Sequence, residues 1–189
     1  MDQLLKEIQG CTVCAPHLVN GVRPVMSAHK NSKIAIIGQA PGSIVHRTGT
    51  PWDDKSGDRL REWLGVDKDT FYDAENFAII PMGFCYPGKD KSGDLPPRPE
   101  CAPLWHEPLL VGLENLQLTL LIGSYAQAYY LGDQKKRTLT ETVRSNELYL
   151  PTYLPLPHPS PRNNIWLKRN AWFGEETLPV LKAIVGDVL

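Results

Sequence analysis

Four short apolar runs constrain the fold of this chain more than any other feature of its sequence. Residues 33–38 (KIAIIG), 77–84 (FAIIPMGF) and 118–123 (LTLLIG) are typical of buried strands, and residues 153–156 form a weaker fourth run. Pro81 has no N–H to donate to a sheet, so the second run must leave the regular ladder there or form a bulge. These runs are therefore predicted to be strands.

Helical patterns lie between the predicted strands. They cover residues 58–64, 101–113, 124–131 and 170–185. Ser124 is suited to cap the third of these helices, and Pro179 is expected to kink the last one. Strands that alternate with helices predict an α/β fold in which a parallel sheet is covered on both faces. In such folds the functional site lies at the carboxyl ends of the strands.

Length and composition predict one globular domain that spans residues 1–189. The net charge of -1 excludes a basic field over the whole surface, so nucleic acid would have to bind a local positive patch. No apolar run approaches the ~20 residues that a membrane span needs. The N-terminal residues (MDQLLKEIQG) lack the features of a signal peptide. We therefore expect a cytoplasmic location, in which cysteines point to metal binding or catalysis before disulfides.

The four cysteines fall into two pairs. Cys11 and Cys14 form a C-x2-C pair, and Cys85 and Cys101 bracket a proline-rich loop. Four thiolates on two separate segments can hold a zinc ion or an iron–sulfur cluster. The alternative is four unrelated cysteines, each acting as a small buried apolar residue. The use of all four favours a metal site, although the spacing alone does not choose the metal.

The segment after the first predicted strand combines a tight turn with an aromatic residue. Residues 38–42 (GQAPG) allow the backbone to approach a ligand closely, although such a turn by itself is an ordinary strand-to-helix connection. Residues 48–54 (TGTPWDD) follow. Trp52 in this segment could be a stacking platform for a base. Alternatively, it could simply cover the core, which is the commoner fate of a tryptophan.

The segment after the fourth run holds a histidine between prolines. Residues 157–163 (PHPSPRN) place His158 in a stiff turn at a strand end. A lone histidine is more often structural than catalytic, but a fixed imidazole can donate a hydrogen bond to a developing oxyanion or contact a phosphate. Ser160 and its neighbours could bind a phosphate through hydroxyl and backbone N–H groups.

Taken together, these motifs resemble the uracil-DNA glycosylase superfamily, and within it the bacterial and archaeal iron–sulfur enzymes called family 4. Residues 38–42 are similar to the first family motif, and residues 158–161 are similar to the second. Residues 48–52 are similar to the loop segment in which family 4 carries an aromatic residue stacked on the base. The order of the four cysteines is similar to that of the family's ligands. The resemblance implies a three-layer α/β/α sandwich with a central four-stranded parallel sheet, and a [4Fe-4S] cluster rather than zinc.

The resemblance also implies a substrate and a mechanism. The substrate would be DNA containing uracil or another deaminated base, from which the enzyme hydrolyses the N-glycosidic bond in base-excision repair. His158 would stabilise the departing uracil anion, and Trp52 would stack on the base. Asp53 would activate the attacking water, with Asp54 as second choice, while Gln39 could orient that water. The residues expected to bind the base with Trp52 are Ala40, Pro41, Gly42, Met82, Gly83 and Phe84.

Two further expectations concern the aspartates and the DNA. Asp53 and Asp54 could instead cap the helix that follows them, and this alternative has nearly equal weight. We expect the protein to be a monomer. It is expected to bind DNA through the histidine motif and the segment that follows it. The residues expected to contact DNA are Ser160, Arg162, Asn163, Lys168 and Arg169.

The chain also departs from the family 4 pattern in three ways, which indicates a divergent branch. Gln39 stands where the family has glutamate, residues 43–46 (SIVH) stand where acidic residues are expected, and Pro81 replaces an asparagine that reads uracil. A non-catalytic binder of damaged or uracil-containing DNA is therefore an alternative. A nucleoside hydrolase on the same scaffold, and a metal-stabilised domain that recruits protein partners, are two others.

Overall fold

The computed structural model describes residues 1–91 and 93–189, and its centre is a parallel β-sheet. The strands are β1 (Ile34–Ile37), β2 (Phe77–Ile79), β3 (Leu118–Ile122) and β4 (Tyr153–Leu156). Their order across the sheet is β2-β1-β3-β4, and each neighbouring pair is parallel. The four predicted strands are therefore confirmed. The order reverses between β1 and β3, which is where open α/β sheets place their ligands.

Helices cover both faces of the sheet. The α-helices are α1 (Asp2–Gln9), α2 (Ser43–Thr48), α3 (Lys55–Leu64), α4 (Lys68–Tyr72), α5 (Cys101–Val111), α6 (Ser124–Leu131), α7 (Leu139–Arg144), α8 (Asn164–Arg169) and α9 (Leu178–Val188). No helix in the described part of the chain is long and apolar enough to cross a membrane.

Successive residues of each strand point to opposite faces, and this alternation builds two cores. Ile34 and Ile36 of β1 join a cluster with Leu60 of α3 and Leu181 of α9. Ala35 and Ile37 belong to a second cluster, which contains Ile8 of α1, Leu109 of α5 and Ala126 of α6. One helical layer therefore covers each face, and the predicted three-layer α/β/α sandwich is confirmed.

The three local predictions made from proline and serine had different outcomes. The ladder of β2 ends at Ile79, so Pro81 lies beyond it, as expected. The prediction of Ser124 as a helix cap was wrong. Gly123 caps α6 instead, because the sharp turn from β3 needs a backbone φ of 84°, which favours glycine. Pro179 lies in the first turn of α9 rather than kinking a long helix, and a π-helical turn (Phe173–Thr177) precedes it.

Candidate active site

A cavity of about 430 Å³ opens at the carboxyl ends of the strands. The loops that follow β1 and β4 form most of its wall, together with part of the loop between Cys85 and Cys101. The position agrees with the rule for parallel sheets. The predicted site residues on the cavity wall are Gln39, Ala40, Pro41, Gly42, Trp52, His158, Ser160, Arg162 and Asn163.

Trp52 occupies this wall in an unusual backbone conformation. Its φ of 56° is the only positive value at a non-glycine residue in the described chain. Two glycines make room for it. A Cβ at Gly38 would lie 2.9 Å from the Cζ2 atom of the indole, and a Cβ at Gly57 would lie 1.7 Å from the Trp52 carbonyl oxygen. Because such conformations persist only where the surroundings enforce them, the position of Trp52 is closely determined.

A buried arginine also fixes the Trp52 backbone. Arg61 is 6% exposed, and its Nη1 donates to the Trp52 carbonyl oxygen at 3.4 Å. Its Nη2 donates to Asp58 Oδ1 at 2.7 Å, which neutralises its charge locally. The guanidinium also lies over the Phe71 and Tyr72 rings. The charge network of α3 therefore supports the aromatic wall of the cavity.

His158 faces Trp52 with a defined tautomer. The two ring centroids are 5.6 Å apart. The backbone N–H of Ser160 donates to His158 Nδ1 at 3.2 Å, and Asn163 Nδ2 donates to the His158 carbonyl oxygen at 2.7 Å. Burial lowers the pKa of His158, against the opposing effect of the Asp54 and Asp94 carboxylates. The neutral ring therefore accepts at Nδ1 and carries its proton at Nε2, where it is a donor.

Asp54, rather than Asp53, belongs to the cavity wall. Asp54 Oδ1 accepts from the backbone N–H groups of Ser56 and Gly57, both at 2.9 Å, and so caps α3. Its other oxygen, Oδ2, accepts no hydrogen bond from the described residues. Asp53 follows Trp52 directly but does not line the wall, so the cavity favours Asp54 over Asp53. The capping interpretation of Asp54 is confirmed, and it does not exclude a role in the cavity.

Three residues predicted to read the base lie elsewhere. The N–H groups of Met82 and Gly83 donate to the carbonyl oxygens of Gly38 and Gln39 at 2.9 and 3.1 Å. The Phe84 ring is 2% exposed and belongs to the second core cluster. These two N–H groups already have acceptors, and none of the three residues lines the cavity, so their role in base binding stays a prediction that the cavity does not support.

The residues after His158 are split between the rim and the outer surface. Ser160 Oγ accepts from the Arg162 N–H at 3.2 Å, and Arg59 Nη1 donates to the Ser160 carbonyl oxygen at 3.2 Å. The Arg162 guanidinium packs against Gly93, so the histidine segment contacts the loop between the cysteines. Lys168 and Arg169 are exposed in the last turn of α8 and lie outside the cavity wall.

The four cysteines line a second, narrow cavity. All four are free thiols, and the rest of its wall is mostly apolar, formed by Leu18, Val22, Pro24, Phe84 and Arg98. Cys14 Sγ donates to Glu100 Oε2 at 3.6 Å, and Arg98 pairs with the same carboxylate. Burial raises the pKa of Cys14 and Cys85, and it raises that of Cys101 to about 12. Within residues 1–91 and 93–189, no three His, Cys, Asp or Glu side chains are gathered closely enough to hold a metal ion.

Comparison with known proteins agrees with this architecture. The family model of the Uracil DNA glycosylase superfamily matches residues 26–182. The chain belongs to this superfamily. It is also 25% identical over 167 residues to a protein of Thermotoga maritima named type-4 uracil-DNA glycosylase, with 82% of this chain and 81% of that protein covered. The superfamily match contains Trp52, Asp54 and His158, whereas Cys11 and Cys14 precede it.

This superfamily member has a second carboxylate in its cavity, which sequence analysis missed. Asp94 lines the wall and comes from the loop between Cys85 and Cys101. Its Oδ2 lies 3.8 Å from the position that a Cβ at Gly42 would take. Burial raises the pKa of Tyr86, and the adjacent Asp94 carboxylate, which is hydrogen-bonded to Tyr86, raises it further. No spacing pattern marks Asp94, because its place in the site depends on the path of a long loop.

Proposed function

We propose that the protein is a uracil-DNA glycosylase that removes uracil, or a related deaminated base, from DNA in base-excision repair. The observation that carries this proposal is one cavity that combines an aromatic face, a neutral imidazole donor and a carboxylate, from Trp52, His158 and Asp54. These are the groups that hydrolysis of an N-glycosidic bond requires. Membership of the superfamily and the name of the Thermotoga maritima relative support the same activity.

The cavity suits a base that has been rotated out of the DNA stack. Its volume of about 430 Å³ is within the usual range for small-molecule sites. Trp52 would stack on the base, and the N–H groups of Ala40 and Gly42, which donate to no other described residue, would bind its carbonyl oxygens. Pro41 between them has no N–H and stiffens this turn. Extrusion costs a few kcal/mol, which these contacts must offset.

His158 would stabilise the leaving group. Cleavage of the glycosidic bond leaves its electron pair on uracil, so negative charge develops on the base and its O2. A neutral imidazole that is held by Ser160 and Asn163 presents its Nε2–H without having to reorient. Preorganised donors of this kind are effective because the protein has already met the cost of orienting them.

Asp54 would act on the sugar side of the bond. The attacking water forms a bond to C1′ and transfers its proton to a carboxylate while uracil departs as an anion. Oδ2 of Asp54 is available to this water, because both helix-capping hydrogen bonds are accepted by Oδ1. Its negative charge also opposes the positive charge that develops on the sugar. Gln39 could orient the water through its amide but has no basic group.

DNA would be held at the rim of the cavity. Ser160, Arg162 and Asn163 lie on the wall after the histidine, where a flanking phosphate would be close to the extruded nucleotide. Lys168 and Arg169 would contact phosphates farther along the strand, since they are exposed on the same segment. The cytoplasmic location, the monomeric state and the single domain over residues 1–189 stay predictions.

The cysteine cavity would hold a [4Fe-4S] cluster. Cys11, Cys14, Cys85 and Cys101 line one mostly apolar cavity and would provide the four thiolates that such a cluster needs. A four-iron cluster separates its ligands more widely than a single metal ion does, so the thiols need not be gathered around one point. When bound, the cluster would cross-link the N-terminal segment to the loop that carries Asp94, a structural role without a redox step. Burial makes free thiolates unfavourable here, and a metal centre would compensate for that cost.

The proposal is tested by base release from a labelled oligonucleotide that contains one central uracil. The strand is presented single, opposite guanine and opposite adenine, and free deoxyuridine is tested in parallel. We expect an abasic product from the oligonucleotide and little release from the nucleoside. Tight binding without product would identify a damage-binding protein instead. Turnover of deoxyuridine alone would identify a nucleoside hydrolase.

A further inference from the structure

A buried histidine lies behind the cavity wall and takes no part in the proposed chemistry. His106 of α5 is 1% exposed. Its Nδ1 lies 2.6 Å from the Tyr130 hydroxyl, and its Nε2 lies 3.1 Å from the carbonyl oxygen of Pro81. The Phe84 ring stacks on the imidazole with 5.8 Å between centroids. Pro81 itself is part of the cavity wall.

The partners of His106 determine which nitrogen carries the proton. Burial lowers the pKa of His106 to about 4, so the ring is neutral at neutral pH. The Pro81 carbonyl oxygen can only accept, and Nε2 must therefore be the donor. Nδ1 is then an acceptor, and the Tyr130 hydroxyl donates to it. A single chain of hydrogen bonds thus leads from Tyr130 through His106 to the backbone of Pro81.

The fold explains why Pro81 needs this partner. β2 is an edge strand, and Ser27 pairs with Ile79 along its outer side. Beyond Ile79 the chain continues with the Met82 N–H bonded to Gly38 on the inner side. The carbonyl of Pro81 is buried, and a buried carbonyl without a hydrogen-bond donor destabilises the folded state. His106 supplies that donor and fixes the segment that borders the cavity.

We propose that His106 is a positioning residue that holds Pro81 as a rigid wall of the base cavity and so determines which bases fit. The inference rests on the proposed function. Pro81 presents a ring without hydrogen-bonding groups, so this wall discriminates by shape. A displaced wall admits a larger base more readily, whereas general damage to the site lowers the rates for all bases alike. Selectivity between bases therefore separates positioning from mere stability.

The test compares excision of uracil and of the larger hypoxanthine from matched single-stranded oligonucleotides under single-turnover conditions. His106→Phe keeps the ring but removes the donor to Pro81. We expect this variant to lose about tenfold of the preference for uracil, the scale of discrimination by pocket shape. His106→Gln restores a side-chain N–H and should recover part of the preference. Tyr129→Phe is the control, since Tyr129 is 48% exposed on the same helix as Tyr130.

An unchanged ratio of the two rates in His106→Phe, or hypoxanthine release absent from both proteins, would overturn the proposal. If His106→Phe does not fold, Tyr130→Phe is measured in its place, because it removes the donor to Nδ1 that helps to hold the imidazole. The preference for uracil should then fall in the same direction, and an unchanged ratio would overturn the proposal. Nitrogen NMR of the wild-type protein adds a readout that is independent of activity. A proton on Nε2 of His106 supports the network, and a proton on Nδ1 contradicts it. A wild-type protein that releases no base refutes the proposed function. The NMR result then shows whether the hydrogen bonds from Tyr130 through His106 to Pro81 are present.

Discussion

Gly57→Ala is the substitution whose effect on the cavity can be worked out most directly. A Cβ at this position in α3 would lie 1.7 Å from the Trp52 carbonyl oxygen and 2.7 Å from its carbonyl carbon. Both neighbours are backbone atoms, so no side-chain rotation relieves the contact. Trp52 or the start of α3 must move by more than an ångström. The same movement disturbs Asp54, whose Oδ1 accepts from the Gly57 N–H at 2.9 Å.

The expected consequence is a large loss of activity with a moderate loss of stability. Misplacement of a positioning group by 1 Å can lower a rate by about 100-fold, so uracil excision should fall by about that factor. Overpacking costs about 1–3 kcal/mol, and alanine returns about 0.5–1 kcal/mol through its better helix propensity. Gly38→Ala should be milder, since its Cβ would meet only the tip of the Trp52 ring, at 2.9 Å.

The assay is single-turnover uracil release at a temperature well below the melting temperature of each variant. Gly186→Ala in α9 is the matched control, because a Cβ there meets no atom within 4 Å. It should gain about 0.5–1 kcal/mol of stability and keep the wild-type rate. A folded Gly57→Ala protein that releases uracil at the wild-type rate would refute the claim that Trp52 must be held where it is.

Three further predictions concern separate groups. Asp54→Asn keeps an oxygen that can cap α3 but removes the negative charge. Uracil excision should fall by at least about 100-fold in single-turnover assays, while the melting temperature stays unchanged. An unchanged rate would exclude Asp54 as the base. Metal analysis of anaerobically purified protein should find about four iron atoms per chain, and the Cys101→Ser variant should lose them. Stoichiometric zinc in the wild-type protein would contradict the iron–sulfur cluster. The free energy of unfolding, measured with urea, should fall by about 3 kcal/mol from pH 6.5 to 4 through His106 alone, because the unfolded chain binds its proton near 6.5 and the folded chain near about 4. His106→Phe should remove that part of the pH dependence, and an identical slope would contradict it.

The sheet was predictable because its strands are buried on both faces and appear as uninterrupted apolar runs. The motif loops after β1 and β4 could be placed in one site because the carboxyl ends of parallel strands meet at one edge. The choice between Asp53 and Asp54 could not be made from sequence. The two residues are adjacent in the sequence, and the folded loop shows that Asp54 lines the cavity whereas Asp53 does not.

Other features depended on contacts between distant segments. Asp94 reaches the cavity through a loop whose path no periodicity describes. Met82 and Gly83 lie at the end of the second apolar run, beyond Pro81, and their N–H groups donate to carbonyl oxygens of the segment after β1. His106 lies in a helix that was predicted, yet nothing in its spacing indicates that it reaches the carbonyl of Pro81.

The central claim is that His158 stabilises the departing base in a DNA glycosylase. The most direct test is the single-turnover rate of uracil release by the wild-type protein and by His158→Ala, with the melting temperature of both as the control for folding. The account predicts an abasic product from the wild-type protein and a rate about 100- to 1,000-fold lower in the variant, which is the usual cost of removing one preorganised donor. A folded variant that releases uracil at the wild-type rate would contradict it.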